Sequence, residues 1–297
     1  MKIRNLLTTA LILLIIISCE KDDNDLNIGN QAGFSLHIND SIVYNSNQID
    51  FYDFSSHLIY LKNGNSFSYS NRGVFKVFVN NSEIYTGQMF PGYSSYLPMG
   101  PVIHCAPTFY GDYIIPIGFN QFIDSVGDSN EDPRNDSRII ETLKKNNQYR
   151  EGLSCEILSV QKISSNNVKI NLQLTNNDSD NLLYLDPDKM GLGLFHYYTN
   201  GLLLQDLSNK TFMHQLTIAQ PDPWDTWEND WLSIITSNES KTISIIYDNF
   251  ETITTGQFEA FFNFPGLGSQ VDKEDLQQDN GRVWLGQLQM KKKIEFE

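Results

Sequence analysis

Val168-Lys169-Ile170-Asn171-Leu172-Gln173-Leu174-Thr175 alternates apolar and polar residues without a fault over eight positions. Period-two alternation puts every second side chain on one face, which is what a half-buried antiparallel strand needs. Leu153 to Ile163 precedes it and the turn Asn176-Asn177-Asp178 follows. Working outward, strand patterns recur at Leu192 to Tyr198, Gly201 to Leu204, Phe212 to Ile218, Trp231 to Ile235, Thr242 to Tyr247, Gln257 to Phe264, Arg282 to Leu288 and Lys293 to Phe296. Short strands at a spacing of roughly ten residues predict a β-sandwich or barrel.

The region from Phe34 to Phe119 carries the same signal. Ile49 to Tyr52, His57 to Leu61, Val74 to Val79, Glu83 to Tyr85 and Tyr113 to Ile117 are rich in β-branched and aromatic residues. Asn63-Gly64-Asn65, Asn71-Arg72-Gly73 and Asn80-Asn81 separate them and suit turns with positive φ. Val74 to Val79 is mostly apolar on both faces, so it is expected as a central strand. Between the two regions, Asp124 to Asn135 is polar and acidic, and Ser137 to Asn147 is expected as a helix. Asp136 or Ser137 can cap it, Ile139, Ile140 and Leu143 form its apolar stripe, and Lys144 and Lys145 suit its C-terminal dipole.

The expected fold class is therefore all-β: tandem immunoglobulin-like β-sandwich domains joined by one short linker helix. The divisions are 1–18, a signal peptide; 19–33, an acidic tether; 34–124, an N-terminal β-domain; 125–152, the loop and helix linker; and 153–297, the C-terminal sandwich. The alternative is one large β-domain with the helix packed on it. Gly256-Gln257-Phe258 after Ile253 resembles the Gly-x-Tyr corner of immunoglobulin-like domains, with Phe in place of Tyr.

Lys2 and Arg4 precede a twelve-residue stretch, Leu6 to Ile17, interrupted only by Thr8 and Thr9. As helix it rises about 18 Å, short of a roughly 30 Å hydrocarbon core, which fits a cleaved signal sequence. It ends Ile16-Ile17-Ser18-Cys19, which resembles a bacterial lipobox and implies cleavage before Cys19 and lipidation of its thiol. Glu20-Lys21-Asp22-Asp23-Asn24-Asp25 resembles the lipoprotein export signal of Bacteroidetes-type bacteria, implying an outer-membrane, surface-exposed protein. Ile84 to Gly87, Pro91 to Ser95, Asp132 to Asp136 and Arg282 to Gly286 are similar to an uncharacterised family of Bacteroidetes-type surface lipoproteins. That resemblance implies a location and a fold but brings no known activity.

The 297 residues carry a net charge of −15 and a pI near 4.6, which argues against nucleic acid as a partner. Thirty asparagines, clustered between apolar runs, suit many turns. His37, His57, His104, His196 and His214 are dispersed without metal-ligand spacing, so no metal and no cofactor is expected. Asp128 to Asp132 has alternating oxygen ligands like a calcium loop, but Pro133 and Ile139 stand where such a loop needs Gly and Glu. No nucleophile elbow, phosphate loop or dinucleotide fingerprint is present in the sequence.

Pro221 to Trp231 holds three of the four tryptophans. If Asp222 caps a short helix, Trp224, Trp227 and Trp231 line one face of it. They are expected either as a plug in the core or as an aromatic platform for sugar rings, rimmed by Asp222, Asp225, Glu228 and Asp230. Cys105 and Cys155 are candidates for a disulfide in an oxidising compartment, with two free thiols as the alternative. Asp40-Ser41-Ile42 and Asp124-Ser125-Val126 resemble O-glycosylation acceptors of these bacteria, implicating Ser41 and Ser125. The functional expectation is a non-enzymatic binding or adhesion module, anchored to the membrane by its N-terminal lipid and taking a glycan or protein ligand. A glycan-binding protein of a nutrient uptake system is the specific alternative. A hydrolase using carboxylate pairs such as Asp222 and Asp225, or Glu274 and Asp275, is the outsider.

Overall fold

The computed structural model describes residues 33–91, 93, 98–106, 110–120, 131–223, 226–267 and 271–297. Strands make up 50% and helices 12%, arranged as an all-β sandwich of several sheets. Cys19, Ser125 and Asp128 lie outside the described residues.

The first half contributes β1 (Phe34–Ile38), β2 (Ile42–Asn45), β3 (Ile49–Asp53), β4 (Leu58–Leu61), β5 (Gly73–Val79), β6 (Ser82–Pro91), β7 (Gly100–Ala106), β8 (Ile114–Pro116) and β9 (Gly118–Asn120). Asn80 and Asn81, both at positive φ, make the two-residue hairpin between β5 and β6. One sheet is ordered β2-β1-β5-β6-β7-β9, so β5 is central as expected. Only its Phe75-Val77-Val79 face is buried, however, and Val74 on the other face is exposed.

The segment expected as a linker belongs to this first half. α1 (Ser137–Lys145) is capped by Asp136, whose carboxylate accepts from Arg138 N at 2.9 Å, and it buries Ile139 and Leu143 in the first core. After it, β10 (Tyr149–Arg150) pairs parallel with β3 and completes a second sheet, β10-β3-β4-β8. The apolar stripe of α1 explains its docking: a helix with such a stripe gains from burying it.

That second sheet is buried on both faces. Ile49, Tyr52, Ile59, Leu61 and Ile115 enter the first core, while Phe51, Leu58, Tyr60 and Ile114 enter the core of the second half. The two halves therefore share a sheet.

The second half comprises β11 (Leu153–Ser164), β12 (Asn167–Asn176), β13 (Leu182–Leu185), α2 (Pro187–Met190), α3 (Leu192–Thr199), β14 (Leu202–Asp206), β15 (Thr211–Met213), β16 (Leu232–Ile235), β17 (Ser240–Tyr247), β18 (Gly256–Pro265), β19 (Gln277–Gln278), β20 (Gly281–Val283) and β21 (Gln287–Phe296). Its sheets are ordered β11-β12-β17, β16-β13-β20-β19 and β15-β14-β18-β21. In β12, Val168, Ile170, Leu172 and Leu174 are fully buried. On its outer face Asn171 donates to Ser159 Oγ at 2.8 Å and accepts from Ser244 Oγ at 2.6 Å, tying three strands.

Two sequence expectations are corrected here. Leu192 to Tyr198, expected as a strand, is the helix α3. Among the described residues of the tryptophan segment, Asn229–Trp231 forms a 3-10 turn and Thr226 to Glu228 are not helical. Trp224 and Asp225 lie outside the described residues.

Candidate binding surface

Local chemistry fixes α2 and α3. Asp186 accepts from Asp188 N at 3.0 Å, and Pro187 occupies the first turn of α2. Gly191, at φ 75°, turns the chain into α3, which stops at Asn200 in the left-handed region. Phe195 anchors α3 inward, fully buried and 5.9 Å from the Phe264 ring of β18. After β15 the chain passes against α3 at Thr217 to Ala219. Ala219 N donates to Gly193 O at 3.2 Å, and a Cβ on Gly193 would collide with the Thr217 carbonyl, so glycine permits this close crossing. Beneath it, the rings of His196 and His214 meet edge-on with centroids 3.8 Å apart.

The crossing brings aromatic rings together. Tyr197 and Tyr198 lie 5.1 Å apart, and Tyr198 lies 6.3 Å from Trp231. Trp231 is set by its backbone, because Asp186 N donates to Trp231 O at 2.9 Å and Trp231 N donates to Glu228 O at 3.1 Å. Trp227 borders the same core. All four rings are half-buried, and Asp222, Glu228 and Asp230 near them in sequence are exposed. The Tyr198 hydroxyl is buried, and a half-buried indole or phenol presents part of an apolar ring, which suits the apolar face of a sugar.

Trp227 and Trp231 are half-buried and pack against the second core, between the two arrangements expected from sequence. Tyr197 and Tyr198 were missed because their segment has strand-like composition. The signal that reveals the helix is its stop, Asn200-Gly201. Ser41 is exposed in the β1–β2 turn. Cys105 and Cys155 are free thiols, one in the first core and one against the second, so the candidate disulfide is not formed. Burial pushes the Cys155 thiol up to about 12. Glu274 and Asp275 are exposed beside β19.

A second polar cluster is deeply buried. Arg282 donates to Asp178 at 3.0 Å and to Asp53 at 3.5 Å, with its guanidinium 4.7 Å from the Phe51 ring. Ser55 Oγ donates to Asp53 at 2.5 Å, and Trp284 Nε1 donates to Ser55 Oγ at 3.3 Å. These residues join β3 to β20 across the shared sheet, which makes the cluster a structural tie. Among the described residues no group of three His, Cys, Asp or Glu is arranged to hold a metal ion.

No protein-family model and no curated protein matches this sequence. Two solved structures of a β-glucosidase from Kluyveromyces marxianus, one in complex with glucose and one selenomethionine-labelled, are similar over 48% of this chain at 10% identity, with a TM-score of 0.19. The matched region spans 14% of those chains. Likeness at that level carries no argument, and what the fold and surface define is an all-β sandwich with a half-buried aromatic surface.

Proposed function

We propose that this chain is a lipid-anchored, non-enzymatic carbohydrate-binding protein of the outer membrane. The anchoring rests on the sequence address ending at Cys19. The ligand class rests on one observation, the half-buried rings of Tyr197, Tyr198 and Trp231, with Tyr198 5.1 Å from Tyr197 and 6.3 Å from Trp231. Stacking of sugar faces needs ring surface that is open yet held rigid, and seating against the second core supplies the rigidity. The detergent-solubilised full chain should bind members of a glycan and polysaccharide panel by calorimetry, with no new reducing ends released. A panel without binders removes the ligand class; released reducing ends remove the non-enzymatic reading. Cys19→Ala should move the protein from the membrane fraction to the soluble one, and retention at the membrane would overturn the anchoring.

A further inference from the structure

The sheet β15-β14-β18-β21 carries an apolar row on the face turned away from the core. Leu202 and Leu204 of β14, Phe212 of β15, and Phe258 and Phe262 of β18 are buried inward, so their alternating neighbours stand on the other face. The register sets Met213, Leu203, Phe261 and Lys291 side by side in one row across all four strands, and Thr211, Gln205, Glu259 and Lys293 in the next. Met213 is 46% exposed, while Leu203 and Phe261 are half-buried and pack against neither core.

The charges on this face are balanced and unpaired. Its outward carboxylates are Glu259 and Glu295 and its outward ammoniums are Lys291 and Lys293, which sum to zero in a chain whose net charge is −15. Among the described residues none of the four forms an ion pair, and no cation lies over the Phe261 ring. Copies of so acidic a chain repel one another, and a neutral face with an apolar row is where that repulsion is least.

We propose that this face binds the same face of a second copy, making a two-fold dimer of stacked sheets. Leu203 and Phe261 pair in register on the two middle strands, so an axis running along the strands between them lays Leu203 of each copy on Phe261 of the other. In the same arrangement Gln205 faces Glu259 of the second copy, whose carboxylate accepts from the amide, and Met213 and Thr211 lie on the aliphatic stems of its Lys291 and Lys293. The contacts are apolar at the centre and polar at the rim, as in stable interfaces. Stacked sheets sit about 10 Å apart, a gap that facing side chains fill. Four strands spaced about 4.8 Å apart and roughly 17–33 Å long give on the order of 500 Å² per copy and roughly 1,000 Å² in total, the lower bound for a specific interface. The dimer is therefore weak, with a dissociation constant on the order of micromolar.

The test measures protein mass per particle by sedimentation velocity of the detergent-solubilised full chain, from about 1 to about 300 µM to span a micromolar dissociation constant. The wild type should pass from one chain per particle to two across that range, and one chain throughout overturns the proposal. Leu203→Arg and Phe261→Glu should each remain at one chain with the far-UV sheet signal retained; two chains in either variant would place the interface elsewhere and overturn it. Mixing the two variants is decisive, because the two-fold then sets one native Leu203–Phe261 contact beside one contact between the introduced unlike charges. The mixture should recover two chains per particle. Sharing of a detergent micelle would act on each variant and on the mixture alike, so it cannot imitate this pattern. A mixture that stays at one chain refutes the two-fold and leaves the face to a glycan or to another protein. Should a charged variant fail to fold, Phe261→Ser takes its place: it should raise the dissociation constant at least tenfold, and an unchanged constant refutes the proposal.

Discussion

Arg282 Nη2 lies 3.0 Å from Asp178 Oδ2 and 3.5 Å from Asp53 Oδ2, so one buried guanidinium holds two carboxylates from opposite halves of the chain. Asp178 also accepts from Gly152 N at 3.0 Å, directly after β10. The cluster therefore ties β3, the β10–β11 junction and β20 at one point. Burial raises the Asp53 carboxyl above the usual carboxylate range, and the Arg282 charge and Ser55 hydroxyl offset this only in part.

That imbalance makes the three residues unequal under mutation. Arg282→Met should destabilise by about 3–5 kcal/mol, because it strands two buried carboxylates. Asp53→Asn should cost about 1 kcal/mol or less, since the amide keeps the shape and sheds a charge that burial already disfavours. Urea unfolding of both variants checks the order, and equal losses would show that Asp53 is fully charged in the native protein.

Sharing of the β10-β3-β4-β8 sheet predicts how the protein responds to nicking. A protease cut between residues 121 and 130 should leave the two pieces associated through gel filtration without denaturant, because Phe51, Leu58 and Tyr60 belong to the core of the second half. Two pieces that elute separately and stay folded would support the tandem-domain arrangement expected from sequence.

The sequence did carry a trace of this arrangement. Leu58-Ile59-Tyr60-Leu61 is a continuous apolar run, and all four residues are buried, which is the pattern of a strand covered on both faces. Half-buried strands such as β12 were legible because alternation has one cause, a wet face and a dry face. α1 was legible through its cap and stripe. α3 was not, because Leu192–Thr199 lies between the sheet and Thr217 to Ala219, and its eight residues show no polar face to set a period. The partnership of Tyr198 with Trp231 was equally hidden, since it is made by a chain crossing and leaves no local spacing.

Acid should weaken the first half through His57. Its Nδ1 is 3.0 Å from the Tyr52 hydroxyl, and burial, followed by the Arg134 charge, lowers it to about 3. The unfolded histidine titrates near 6.5, so below that pH the unfolded chain binds the extra proton and stability falls until about pH 3. One such group contributes a slope of at most about 1.4 kcal/mol per pH unit. His57→Asn, which tolerates the positive φ at this position, should flatten the decline of urea midpoint between pH 6.5 and 4. An unchanged slope would assign the acid sensitivity to other groups.

Cys105 and Cys155 belong to different cores, so reductant should leave the melting temperature unchanged within about 1 °C. Both thiols should react with a maleimide only after unfolding, given the burial of Cys105 and the suppressed ionisation of Cys155. A fall of several degrees with reductant would reveal a bridge.

The last prediction separates a ligand surface from plain packing by setting two tryptophans against each other. Trp284 is 1% exposed, and Trp284→Ala should cost about 3–5 kcal/mol, as large-to-small changes in cores do. Trp231 is only half-buried, with its ring 6.3 Å from Tyr198, so Trp231→Ala loses less packing and should cost about 1–2 kcal/mol. Glycan affinity should behave the other way. Stacking on an aromatic face contributes strongly at a hot spot, so Trp231→Ala should weaken binding at least tenfold while the protein remains folded. Tyr198→Phe keeps the ring and should preserve most of the affinity, whereas Tyr198→Ala should lose it together with support for Trp231. If Trp231→Ala instead destabilises as much as Trp284→Ala, the surface is part of the core. If it leaves affinity untouched while glycan still binds, the ligand sits elsewhere on the sandwich and the aromatic rings are seated there only as packing.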